Sequence, residues 1–498
     1  MSNNTVREPL LPVGATAKAV PPYGSPANTR DAYTRKLGYV PLIFQRMVNF
    51  VTTPRKMDRA TTHGDAEASE FPHHQQAQAA PSPSSSSVFI PPPGSIRGSV
   101  FNLMGATLGA GALSLPYAVA VSGVGFALAQ LFLAAYLTIY SISLLMRAGD
   151  ITKLKSYEDL AMYCFGKRAE LFVEVCILVF SFGIAVAYLV TLGDLITPLG
   201  LLFFGPDSLG SSRPFLMSIF CGAIMLPLSL LKDVSSLQFS SMLGVFSIVF
   251  LVVAVAIRSG MRIHDDGLPT SLDWGMNLSH GPNFMLSVPI VMFAFTNQPN
   301  VFSIFTELQR PCIRRMSKVV NCAAYASLWI YLTIGLVAYV AFGAVLAEPH
   351  VKGNILLSFP MSDVLIALAR AAITFTVAVA YPLNIFPCRF SIDMMFFAQA
   401  KESLVRHVVV STALVVGSLV LAIVCPNINV IFGIIGGTCS SVVCFCFPAA
   451  FVLKLEPGSV FSRAKLGPLV LLVGAVIIGA VSTGVTIWSN FYVTTNAQ

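Results

Sequence analysis

The chain has 498 residues, 55% hydrophobic and 11% charged; a soluble globular protein carries about 25% charged positions, so that class is excluded. The net charge of +8 does not call for a nucleic-acid partner. The basic residues fall in a polar N-terminal stretch and in short loops between apolar runs, where membrane orientation accounts for them, and a polytopic membrane protein is what remains.

No charged region followed by an apolar core opens the chain, so no cleavable signal peptide is expected and the first span directs insertion. Residues 1–93 are rich in Ser, Pro, Ala and Gln and end in HHQQAQAAPSPSSSSVFIPPP. Such a composition buries too little apolar surface to order itself, which predicts a disordered cytoplasmic tail. Within it Tyr39 to Val51 is apolar but too short to span and holds Arg46. It reads as an interfacial helix or as a segment that binds an unidentified cytosolic partner.

About 20 apolar residues cross a bilayer core. By that rule residues 94–490 form a transmembrane domain of about eleven helices, near 97–121, 124–146, 169–198, 214–231, 237–257, 282–306, 319–343, 362–385, 404–424, 428–453 and 466–490. With the tail inside, the inner loops hold sixteen Lys and Arg and the outer loops four. This is the bias expected of short cytoplasmic loops, and it puts residues 491–498 outside as a short non-cytoplasmic C-terminus. The same map puts Asn277-Leu278-Ser279, a glycosylation acceptor pattern, on the outer side.

Two spans carry interruptions. Phe101 to Tyr117, FNLMGATLGAGALSLPY, holds Gly105, Gly109, Gly111 and Pro116, and Phe295 to Asn300, FTNQPN, breaks the sixth span. A broken helix survives in lipid only where its freed N–H and C=O groups meet protein, water or a ligand, so each break marks a binding site or a close helix contact. Breaks in the first and sixth spans fit two inverted five-helix halves plus one extra helix, with a solute site near the midplane.

Ser99 to Tyr117, SVFNLMGATLGAGALSLPY, together with Ala369 to Arg389, ARAAITFTVAVAYPLNIFPCR, resembles the amino acid/auxin permease family of the amino acid, polyamine and organocation transporter superfamily. The long polar tail and short preamble to the first span look like the kinetoplastid members. The resemblance implies secondary amino acid transport by alternating access, and the plasma membrane is the expected location. A receptor that binds an amino acid and signals through its tail is the alternative. In sodium-coupled relatives an Asn follows the FNL string and a Thr precedes the proline of the eighth span; here Gly105 and Ala378 stand in those places. A hard cation needs several oxygen donors, so proton-coupled or uncoupled transport is expected.

A free amino acid brings a carboxylate and an ammonium. Half-helix N-termini offer N–H groups and partial positive charge to the first. The expected carboxylate ligands are the backbone of Thr107, Leu108, Gly109, Ala110 and Gly111, with a hydroxyl from Thr107 or Ser114. Unwound carbonyls around Phe295, Thr296, Asn297 and Gln298 would take the amine. Tyr188 of the third span faces the same cavity or packs as an aromatic.

Ionisable side chains inside spans cost several kcal/mol unless paired or wet. Glu170 and Glu174 stand near the inner end of the third span, from which they would snorkel to the interface. Glu174, Asp194 and Arg370 are the gating or coupling candidates. Asp194 and Arg370 lie at similar outer depth; either they pair in at least one transport state, or Arg370 is held by backbone carbonyls and Asp194 is solvated. All seven histidines are read into the tail or loops, which leaves carboxylates as candidate proton carriers. The ten cysteines read as packing residues rather than a disulfide framework. No P-loop, nucleophile constellation or metal-ligand cluster is present, so neither an enzyme nor a cofactor is expected.

Overall fold

The computed structural model describes residues 94–496 except 206–207, 232–236, 277–280, 349–350, 352, 361, 398–399, 401–402 and 460. The tail, its Tyr39 to Val51 stretch and the Asn277-Leu278-Ser279 pattern lie outside the described residues.

In hydrocarbon a backbone must satisfy its own polar groups, which turns each long apolar run into a helix. The first span is α1 (Ile96–Thr107) and α2 (Gly111–Ser122), followed by α3 (Val124–Thr152), the short α4 (Tyr157–Phe165) and α5 (Lys167–Phe204). Next come α6 (Arg213–Phe220) and α7 (Leu226–Leu230) joined by a π turn, α8 (Leu237–Asp266), and the broken pair α9 (Ser287–Ala294) and α10 (Val301–Glu307). The chain closes with α11 (Ile313–Phe342), α12 (Val364–Phe397), α13 (Leu404–Val424), α14 (Ile428–Ile435), a π stretch over Gly436–Cys446, α15 (Phe447–Leu455) and α16 (Arg463–Asn496).

Local chemistry sets the ends. Ser95 caps α1 by accepting from the Gly98 N–H at 3.1 Å, and Ser156 caps α4 from the Asp159 N–H at 3.0 Å. Gly123 turns α2 into α3 with no loop at all. Its φ of +80° is one that a side chain would resist.

Among the described residues nine helices are long and apolar enough to cross a membrane, and α1 with α2, bent by 57°, makes a tenth. The expected 282–306 span is the element broken into α9 and α10, of eight and seven residues, too short to qualify singly. Both π segments escaped the sequence reading, because one extra residue per turn leaves an apolar run unchanged in composition.

The centre of the bundle is α1, α2, α9 and α11. There α11 runs along α1, α2 and α8, and α9 lies on α2 and on the Gly436–Cys446 stretch. Small residues let these backbones approach. A Cβ on Gly105 would come within 2.7 Å of Ser241 on α8, and one on Gly111 within 3.3 Å of the Ala294 Cα. Gly436 lies directly against the Pro289 carbonyl.

Three expectations about charged groups are corrected. Asp194 pairs with Arg213 at 3.0 Å rather than with Arg370. Arg213 opens α6 and also donates to the Val190 carbonyl at 3.1 Å, so the acid finds its base across one short connection rather than across the bundle. The Arg370 guanidinium instead donates to the carbonyls of Leu356 and Phe359 at 2.7 and 3.0 Å, because the segment before α12 folds back over its start. Glu170 and Glu174 do not snorkel but are buried. His407 stands in the first turn of α13, not in a loop, with Nε2 3.0 Å from the Leu230 carbonyl.

Candidate substrate site at the two helix breaks

The first break falls at Leu108–Ala110. Gly109 folds back so that its N–H donates to the Thr107 carbonyl at 3.0 Å. The new helix α2 then starts with Ala112 and Leu113 bonding to Gly109 and Ala110. This leaves the N–H groups of Ala110 and Gly111 without an acceptor among the described residues. They open a twelve-residue helix, whose N-terminal end favours an anion. In the first turn of α2 the Ser114 hydroxyl is fully buried and has no hydrogen-bond partner among the described residues.

The second break runs from Phe295 to Asn300. Phe295 and Thr296 still bond back to Val291 and Phe293, after which the Asn297 N–H is taken by the Gln298 side chain at 2.9 Å. Thr138 of α3 donates to the Phe295 carbonyl at 3.5 Å. The Cys444 thiol lies against Thr296 and the Gln298 backbone. Asn297 Oδ1 and Gln298 Nε2 are buried and unpartnered among the described residues.

The two breaks meet. Asn297 Nδ2 donates to the Thr107 hydroxyl at 2.7 Å, and that hydroxyl donates on to the Leu103 carbonyl at 2.8 Å. Tyr331 of α11, wholly buried, has its hydroxyl 2.7 Å from the Thr107 carbonyl and 2.8 Å from the Ala294 carbonyl, which are the last residues of α1 and α9. Its ring stands edge-on to Phe295 at 5.2 Å.

Tyr188 lies beside the first break. Its hydroxyl would lie 3.4 Å from a Cβ on Gly109, and it also interacts with Asn384 of α12. Gly109, Tyr188 and Asn384 are each half-buried. The structure therefore gathers Thr107 to Gly111, Ser114, Tyr188 and Phe295 to Gln298 around one locus. Asp194 and Arg370 are held by partners of their own, as described above. Glu174 stands among Glu158 and Glu170, near the start of α5.

Sequence reasoning missed Tyr331 and Asn384. Tyr331 sits in SLWIYLTIG, where an aromatic reads as packing. The available signal was the cost of a hydroxyl in hydrocarbon, which demands a partner.

The profile of the family described as "Transmembrane amino acid transporter protein" matches residues 92–491. The chain belongs to this family. Among curated relatives it is similar to "Solute carrier family 38 member 10" of Homo sapiens, 27% identical over 402 residues, which is 78% of this chain and 34% of that protein. It is also 26% identical over 386 residues to "Putative sodium-coupled neutral amino acid transporter 10" of Xenopus laevis, covering 74% of this chain and 36% of the relative. The chain thus spans about a third of the length of the curated relatives it matches. Among solved structures it resembles a manganese transporter of Eremococcus coleocola, with a TM-score of 0.51 and 13% identity over 80% of this chain and 87% of that one. At that identity the likeness speaks for the helical transporter fold alone. Membership of the family makes the protein a multi-pass membrane protein.

Proposed function

We propose that the protein is a secondary transporter of amino acids that works by alternating access, with its substrate held where the two helix breaks meet. The observation that carries this is the juxtaposition itself. One break presents free N–H groups at the start of α2, and the other presents carbonyls at the end of α9, with Tyr331 and Asn297 tying the two together. A zwitterion matches that pair of ends without any charged side chain in the site. Placing both ligating segments on half-helices also lets small tilts of one half open or close the site, the motion that alternating access needs.

Coupling is to protons or to nothing, rather than to sodium. Where sodium-coupled relatives would offer an Asn, Gly105 is pressed against Ser241 with no room for a side chain, and Ala378 brings no oxygen. The sodium coupling named for the Xenopus relative is therefore not carried over to this chain. Glu174, buried beside other carboxyls, is the coupling candidate. The receptor alternative draws on the tail, which lies outside the described residues, and the family favours transport. The distribution of Lys and Arg supports a cytoplasmic N-terminus and an outer C-terminus, and the plasma membrane is the proposed location.

The test is uptake of labelled L-amino acids, taken one at a time, into proteoliposomes holding the purified protein. Accumulation that survives replacement of sodium by choline at fixed pH is the expected result. Binding without flux would overturn the transport reading, and flux lost with sodium would overturn the coupling.

A further inference from the structure

Around the Tyr331 hydroxyl the hydrogen-bond count is unbalanced. A carbonyl oxygen has two lone pairs and a phenol one proton and two lone pairs. The Thr107 carbonyl already receives the Gly109 N–H at 3.0 Å, whereas the Ala294 carbonyl has no other donor among the described residues. A single Tyr331 proton is offered to both, at 2.7 and 2.8 Å. A buried acceptor left bare is costly, so the proton belongs on Ala294. That leaves a lone pair on Thr107, a second one on Ala294 and those of the phenol oxygen itself. Asn297 adds a further bare acceptor, its Oδ1, within the same group, since its Nδ2 is fixed on the Thr107 hydroxyl.

Even with the unpartnered Gln298 Nε2 counted among the donors, acceptors outnumber donors around the wholly buried Tyr331 side chain. The ligand that such a place takes is a compact cation with several N–H groups. We propose that Tyr331 positions the primary ammonium of the transported amino acid, which donates to the Thr107 carbonyl, to the Tyr331 oxygen and to Ala294 or Asn297 Oδ1. The phenol proton keeps the Ala294 carbonyl satisfied while the site is empty. It stays on one carbonyl when the ammonium arrives, so the site can empty and refill without ever stranding a bare pair of carbonyls. This inference rests on the transport reading and adds to it the residue that reads the amine.

It predicts a preference for a primary amine that depends on one oxygen atom. In proteoliposomes the best-transported amino acid, its N-methyl derivative and its 2-hydroxy acid counterpart are compared as competitors in the wild-type protein and in Tyr331→Phe. A hydrogen bond to a charged group contributes enough for about a tenfold change. Tyr331→Phe is expected to raise KM about tenfold with a smaller effect on kcat, and to narrow the gap between the primary amine and its N-methyl derivative. Tyr331→His, which keeps a ring N–H donor, is expected to fall between the two and serves if the Phe variant does not reach the membrane. A folded variant with an unchanged amine preference overturns the proposal, as does a loss confined to kcat. No flux in the wild-type protein is a different failure, that of the transport reading itself.

Discussion

The two breaks interrupt their helices by different means. The first does it within three residues: the chain leaves the helix at Leu108, whose turn is closed by the Gly109 N–H on the Thr107 carbonyl, and what it exposes is backbone N–H at the head of α2. The second does it with polar side chains and a proline, over six residues, and what it exposes is the carbonyl end of α9 with two amides lying across the gap. On the proposed reading the N–H groups of the first break take the carboxylate, and the ammonium lies among carbonyls contributed by both breaks. A pair of identical breaks would suit only one end of a zwitterion.

The largest way to break this arrangement is Gly109→Val. A Cβ at 109 already reaches the Tyr188 hydroxyl at 3.4 Å, and nothing else but that ring lies within 4 Å. A branched side chain there would extend toward the Tyr188 ring and the proposed substrate position. Uptake should fall to background while the protein still elutes as a folded monodisperse species in detergent. Normal transport would remove the first break from the site.

A control away from both breaks is the pair Asp194 and Arg213, whose side chains are 2% and 16% exposed. Removing one partner of a buried pair strands the other and costs about 3–5 kcal/mol. Arg213→Gln and Asp194→Asn should each lower the unfolding temperature in detergent yet leave KM near its wild-type value. Arg370→Gln should not reproduce the Asp194→Asn effect, since Arg370 is held by carbonyls. A large KM change in the Asp194 variant would return that acid to the site.

The second break can be weighed against the first through Asn297, which reaches across to the Thr107 hydroxyl. Asn297→Ala removes that bond and a bare acceptor together, so a coupling of about 1 kcal/mol is expected from a double-mutant cycle with Thr107→Val. Full additivity of the variants in KM would show that the breaks act separately.

Much of this was legible in the sequence, for physical reasons that differ by region. Span ends followed from length and polarity, and α13 begins and ends where the apolar run does, at Leu404 and Val424. Gly109, Gly111 and the FTNQPN string announced the breaks because such residues are expensive in a plain lipid-facing helix. Partner choice was not legible. Arg213 counted as an outer-loop charge, although it stands at the first position of α6, 19 residues after the acid that it pairs with. Tyr331 was hidden for the opposite reason, since an aromatic in an apolar helix is ordinary and only the third dimension shows two carbonyls in front of its hydroxyl. Pairwise geometry across helices leaves no trace in spacing along one chain.

The smallest effect sharpens the comparison most, because two of its parts have opposite signs. Ser114 sits in the first turn of α2 with its hydroxyl buried and unpartnered among the described residues. A buried hydroxyl without a partner is a cost of about 1–3 kcal/mol in the folded protein. Alanine is also the better helix former. Ser114→Ala should therefore raise the unfolding temperature of the substrate-free protein. If the hydroxyl completes the carboxylate end of the site, the same change should raise KM a few-fold and reduce the stabilisation that saturating substrate gives. A residue that only packs would shift stability alone. Should KM and the substrate-induced stabilisation both stay unchanged, the donor end of the site narrows to the backbone of Ala110 and Gly111, and the first break would bind the carboxylate without help from any side chain.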